Sequence, residues 1–152
     1  MSVALNMEES PAERLILVVQ DNPEHTDLIK GALNENSGRR KIVAISDGLQ
    51  ALDFLHRRGN YADARRPDLI LMDLNLPEKD GRELLAEIKA DQQLRRIPIV
   101  VLTISANEED IFRSYELQGN CYVVKSCDLE QLFQLVKRIE EFWLGIVTLP
   151  VE

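Results

Sequence analysis

Five short apolar runs divide this chain: Leu15 to Val19, Ile42 to Ile45, Leu69 to Met72, Ile97 to Leu102 and Cys121 to Val124. Each has the length of a strand, and three carry almost no polar alternation, the pattern of strands in a parallel sheet covered on both faces. Between and after them, apolar residues return at helical spacing. Leu28, Ile29, Ala32 and Leu33 form one such stripe, Leu84, Leu85 and Ile88 another, and Ile111, Phe112 and Tyr115 a third. Asp47 is placed as an N-cap ahead of Leu49, Leu52 and Leu55. The last stripe, Leu129, Leu132, Phe133, Val136, Ile139 and Trp143, is the clearest and follows a candidate cap at Asp128.

Strand and helix in strict alternation, joined by right-handed crossovers, predict an α/β fold: a flavodoxin-like (βα)5 doubly wound parallel sheet with strand order 2-1-3-4-5. The 152 residues, 45% hydrophobic, suffice for one core. The expected organisation is a flexible N-terminal tail over 1–12, one domain over 13–144, and an apolar C-terminal extension over 145–152. Phe142, Trp143, Ile146, Val147, Leu149 and Val151 cluster at that end, so the segment is expected either to fold back on the domain or to meet a partner.

Charge narrows the partners. With 26 Asp and Glu against 18 Lys and Arg, the net charge of −8 opposes binding to nucleic acid or anionic membrane. No apolar run approaches the roughly 18 residues of a membrane span. The first residues lack the charged head and apolar stretch of a secretory signal. Two cysteines, Cys121 and Cys127, suit a reduced, cytoplasmic chain, with Cys121 read as a buried strand residue.

Sites in open parallel sheets lie beyond the carboxyl ends of the strands. The first run is followed there by Gln20 and Asp21, the third by Asp73, the fourth by Thr103 and the fifth by Lys125. Singly, each has a plain structural reading as a cap, a strand residue or a solvated lysine. Together they put two carboxylates, a hydroxyl and an ammonium on one edge. Asp21 and Asp73, on neighbouring strands, repel unless a cation lies between them, and all-oxygen ligation suits magnesium. A carboxylate such as Asp73 can then attack phosphorus, with Lys125 and Thr103 meeting the phosphoryl oxygens.

These residues resemble the response-regulator receiver domain of two-component signalling, from about Leu15 to Trp143. The resemblance is carried by Leu17-Val18-Val19-Gln20-Asp21, Asp68 to Pro77, Asp80-Gly81, Val101-Leu102-Thr103 and Tyr122-Val123-Val124-Lys125. It implies that Asp73 accepts phosphate from a histidine kinase and that Asp21, Asp73 and the backbone carbonyl of Asn75 hold Mg2+. It also implies that Thr103 and Lys125 contact the phosphoryl group, and that Tyr122 is an aromatic switch following Thr103. Within the family the chain is similar to the small cyanobacterial phytochrome response regulators, through Asp80 to Lys89, Ser114 to Leu117, Asn120 to Tyr122, Lys125-Ser126, Phe142 to Leu144 and Val147 to Pro150. That likeness implies a phytochrome-type histidine kinase as phosphodonor, no output domain, and a tendency to form homodimers through the fourth helix, fifth strand and fifth helix; the chain is expected to be a phosphoacceptor rather than an enzyme, with at most slow self-dephosphorylation.

Three positions depart from the family pattern. Gln20 stands where most receivers have an acid, which predicts weaker magnesium binding and makes Gln20 an uncertain metal contact. Ile104 is bulkier than the usual residue after the switch hydroxyl, and Ser126 replaces a common proline. They leave a second reading, a degenerate receiver serving as a phosphorylation-independent binding module. A phosphatase of the haloacid dehalogenase type would need an aspartate where Asn75 stands, and a flavodoxin-type cofactor loop would not carry Asp21. Asn75 and Ser105, flanking the site, are the places expected to set acyl-phosphate lifetime.

Overall fold

The computed structural model describes residues 13–34, 40–117 and 120–150; the expected tail over 1–12, and Val151, lie outside them. The strands are β1 (Arg14–Val19), β2 (Arg40–Ile45), β3 (Leu69–Met72), β4 (Ile99–Thr103) and β5 (Cys121–Val124), parallel throughout and ordered β2-β1-β3-β4-β5. The helices are α1 (Pro23–Asn34), α2 (Gly48–Leu55), α3 (Gly81–Ala90), α4 (Glu108–Glu116) and α5 (Leu129–Glu140). This is the expected flavodoxin-like order, in a single domain.

The uninterrupted apolar runs have a direct cause. Along β1, Leu15, Leu17 and Val19 enter one core cluster and Ile16 and Val18 the other; β3 and β4 divide in the same way. Successive side chains alternate between faces, so a sheet covered on both needs an apolar residue at every position. α2 and α3 cover one face through Leu52, Phe54, Leu84 and Ile88. α1 and α5 cover the other through Ile29, Leu33, Leu132 and Val136.

Asp47 and Asp128 cap their helices as expected, accepting from Gln50 N–H at 2.7 Å and Gln131 N–H at 3.0 Å. Several sequence readings need correction. β4 begins at Ile99 rather than Ile97, because Ile97 N–H closes a turn onto Leu94 O and Pro98 has no N–H to give a ladder. It runs on through Thr103, whose carbonyl takes Lys125 N–H at 2.8 Å. Leu49 does not join the apolar face of α2 and is exposed. Cys121 is half-buried rather than buried, because β5 is an edge strand, and both cysteines are free. The regular part of α5 stops at Glu140, and Trp143 lies in a wider turn, Glu141–Ile146, closed by Val147 N–H on Phe142 O, five residues back.

The largest departure concerns α4. Of the apolar stripe read there, Phe112 is 66% and Tyr115 52% exposed, and Ser114 is the helix's only buried residue. At the C-terminal end, Leu149 is buried against the domain, while Phe142 and Ile146 are exposed.

Two glycines permit the loops near the carboxyl edge to pass one another. A Cβ on Gly81 would stand 2.3 Å from Asp73 O and 2.6 Å from Leu74 Cα, both backbone atoms that cannot swing aside. Gly48 meets Lys79 O in the same way. Gly31, inside α1, has open space where its Cβ would be. Urea unfolding is therefore expected to show Gly81→Ala destabilised by about 1–3 kcal/mol and Gly31→Ala stabilised by about 0.5–1 kcal/mol.

Candidate functional site

The sheet ladder carries past the strand ends and fixes the first residue beyond each. Gln20 N–H donates to Ile45 O at 3.2 Å, Asp73 N–H to Val19 O at 2.9 Å, and Lys125 N–H to Thr103 O at 2.8 Å. Gln20, Asp73, Thr103 and Lys125 thus share one edge, and all four are buried. Asp21, one residue further out, is exposed, as is Asn75.

Asp73 is held from three directions. Its Oδ1 accepts the Thr103 hydroxyl at 2.6 Å and Asn75 N–H at 3.2 Å, and its Oδ2 lies 3.2 Å from Lys125 Nζ. Only 7% of Asp73 and 5% of Lys125 is accessible, so neither charge can rely on water. Removing one partner from such a pair typically costs about 3–5 kcal/mol, because the other charge is left buried and alone.

The ammonium has a second acceptor, Gln20 Oε1, at 2.7 Å, while Gln20 Nε2 donates to Leu102 O at 3.3 Å. The amide thus meets a cation with its oxygen and a carbonyl with its nitrogen. A carboxylate at this position could make only the first of these contacts. Gln20 Oε1, named above as an uncertain metal contact, accepts from Lys125 in this structure.

Three features near this edge were missed in the sequence. Asn22 caps α1, its Oδ1 taking the N–H groups of Glu24 and His25, a feature signalled by Asn-Pro at the start of the helix. His25 is buried with no partner on Nδ1; burial first, then the charge of Lys125, pushes its imidazole below the ordinary range. A lone histidine on a helix carries no sequence signal of this placement.

The third feature is Arg82, on the first turn of α3. Its Nε and Nη2 donate to the two carboxylate oxygens of Asp110 on α4, each at 2.8 Å. The guanidinium, followed by the Ser105 hydroxyl, holds the Asp110 carboxyl down at about 2, and Asp110 in turn raises Arg82. Tyr122 is half-buried against the core, its hydroxyl donating to Ser105 O at 2.9 Å, and burial pushes its phenol up. Ile104 is exposed, and the Lys125–Ser126 peptide is trans.

A (βα)5 sheet with a buried aspartate, threonine and lysine at its carboxyl edge defines a class. Residues 16–137 match the family model of the response regulator receiver domain, and the chain belongs to that family. Among individual relatives, it is 49% identical over 143 residues to the response regulator Rcp1 of a Synechocystis strain, covering 94% of this chain and 97% of the relative. The crystal structure of the phosphorylated cyanobacterial phytochrome response regulator RcpA superposes with a TM-score of 0.90 at 55% identity, covering 92% of this chain and 100% of that one. The Mn2+-bound form of Rcp1 gives 0.87 at 50% identity, covering 91% and 99%. The chain is therefore a receiver domain related to phytochrome response regulators.

The depressed Asp110 carboxyl has a pH signature. Because its folded value lies below the ordinary one near 4, the pair stabilises the fold above about pH 4 and loses that contribution as pH falls toward 2. The stability gap between the wild type and Asp110→Asn, measured by urea midpoints, is expected to be widest near neutrality and to close across that interval.

Proposed function

We propose that this chain is a phospho-accepting response regulator of a phytochrome-type histidine kinase, phosphorylated on Asp73 and acting through protein contact. The observation that carries the reading is the grip of Thr103 and Lys125 on the two oxygens of one buried carboxylate. In the transfer, an Asp73 oxygen bonds to phosphorus while the phosphorus–nitrogen bond of the donor phosphohistidine breaks, its electron pair returning to the imidazole. Lys125 neutralises charge that would otherwise oppose the approach, and Thr103 donates to the oxygens of the arriving group. Both stand against the carboxylate in advance, so the step asks only that the Thr103 hydroxyl turn from Asp73 Oδ1 to the arriving group.

Receivers use a divalent cation here, and the donors present fit one. Asp21, Asp73 and the Asn75 carbonyl are hard oxygen donors, two of them carboxylates. That suits magnesium, which keeps several waters and takes one or two carboxylates. A cation held there would supply positive charge to offset that of the carboxylate and the arriving phosphoryl group. With Gln20 committed to Lys125, the site holds one negative charge fewer than an acid there would give, and we assign it weaker magnesium binding.

The same reading makes the protein a homodimer through α4, β5 and α5. Phe112, Tyr115, Val124 and Leu129 on these elements are all exposed, and an apolar patch of this kind suits a second copy. A cytoplasmic location accords with the two free thiols; among the described residues no helix is long and apolar enough to cross a membrane.

Intact mass after incubation with magnesium and acetyl phosphate, and separately with a phosphorylated phytochrome kinase, tests the reading. A gain of one phosphoryl mass is expected in the wild type and none in Asp73→Asn; no gain from either donor favours the phosphorylation-independent binding module. Lys125→Met should slow the reaction by about a hundredfold or more, the usual effect of losing one preorganised charge partner. Light scattering at micromolar concentration should give the mass of two chains, and a monomer there would remove the dimer.

A further inference from the structure

A continuous polar path leaves Asp73 and ends on a different helix. The Thr103 hydroxyl, which donates to Asp73 Oδ1, has its oxygen approached by Ser105 N–H at 3.4 Å. With that side of the oxygen facing a donor, the hydroxyl proton is left to point at the carboxylate. The Ser105 hydroxyl donates to Asp110 Oδ2 at 2.8 Å and accepts Asn107 N–H at 3.3 Å, while the Ser105 carbonyl receives the Tyr122 hydroxyl. Ser105 therefore meets Thr103, Tyr122 and α4 at once. What holds Ser105 is Asp110, and what holds Asp110 is the fork of Arg82.

The two ends of this path differ in firmness. Arg82 stands one residue after Gly81, which is packed against the backbone of Asp73 and Leu74, and its Nη1 also donates to Asp80 Oδ1 at 3.0 Å. That end is tied to the acceptor strand. α4 buries only Ser114, so apolar packing does little to place its first turn or the loop before it. A bidentate guanidinium–carboxylate contact fixes orientation as well as distance, which a lysine or a single hydrogen bond does not.

We propose that Arg82 and Asp110 are positioning residues for the acceptor site: their ion pair holds Ser105 in place, and through Ser105 it aims the Thr103 hydroxyl at Asp73 and seats Tyr122 inward. The proposal rests on Asp73 being the phosphoryl acceptor, and it adds that the reactivity of that site is set in part from the α3–α4 junction.

The test uses the full chain labelled with 3-fluorotyrosine, the Tyr122 signal being assigned with Tyr122→Phe. Without any phosphodonor, Arg82→Gln and Asp110→Asn should move the Tyr122 fluorine resonance toward its solvent-exposed position. With magnesium and acetyl phosphate, the same variants should be phosphorylated roughly tenfold more slowly, about the effect of one lost hydrogen bond to a charged group. Arg82→Lys keeps the charge without the fork and should fall between wild type and Arg82→Gln. Ser105→Ala, which deletes the hydroxyl through which Asp110 holds Ser105, should shift both readouts in the same direction by at least as much as Arg82→Gln. Should Arg82→Gln or Asp110→Asn fail to show a wild-type circular dichroism spectrum, Arg82→Lys and Ser105→Ala decide the matter. A Tyr122 resonance and a rate within twofold of wild type in the folded variants would overturn the proposal. A wild type that gains no phosphoryl mass would instead sink the acceptor reading, while the fluorine result would still report whether the ion pair seats Tyr122.

Discussion

In the central strands of a parallel sheet covered by helices on both faces, a charge finds no position except the strand ends. Here that constraint gathers Gln20, Asp73, Thr103 and Lys125 onto one edge, and burial then obliges them to satisfy one another. The ion pair of Lys125 with Asp73 is the central contact, since neither group has water to fall back on. Gly81 and Gly48 follow from the same crowding, because the loops that close over this edge pass at distances no side chain allows.

Gln20 shows how one polar residue changes the balance of such an edge. An acid there would give Lys125 two carboxylates to share and would enlarge the negative charge left for a cation. The amide instead keeps the lysine in place without competing for its charge, and its nitrogen satisfies the carbonyl of Leu102. Asp73 is thereby the only anion in direct contact with Lys125 among the described residues. Geometry is retained while the electrostatics shift.

The strand runs, their order and the four residues at the strand ends were legible because each follows from an unbroken apolar pattern of known length. Thr103 and Lys125 needed only a position relative to Leu102 and Val124. The start of β4 carried its own signal in Pro98, which the apolar run from Ile97 masked. The orientation of α4 was not legible, since Ile111, Phe112 and Tyr115 make the same stripe whether they face a core or solvent. Arg82 and Asp110 were hidden for another reason: they are 28 residues apart, each on the polar side of its own helix, and in sequence they read as ordinary solvated charges. A contact that tertiary structure alone creates leaves no periodicity behind.

The weak apolar anchoring of α4 has a further consequence. A helix that buries one serine and is tied down by caps and a partly exposed ion pair depends on forces that dissolved salt screens, whereas the two core clusters do not. Ionic strength thus acts on this molecule unevenly, loosening the α4 side while the sheet and its other helices keep their packing. Protein from dilute buffer and protein from concentrated salt would share one core and differ in how firmly a single surface is presented.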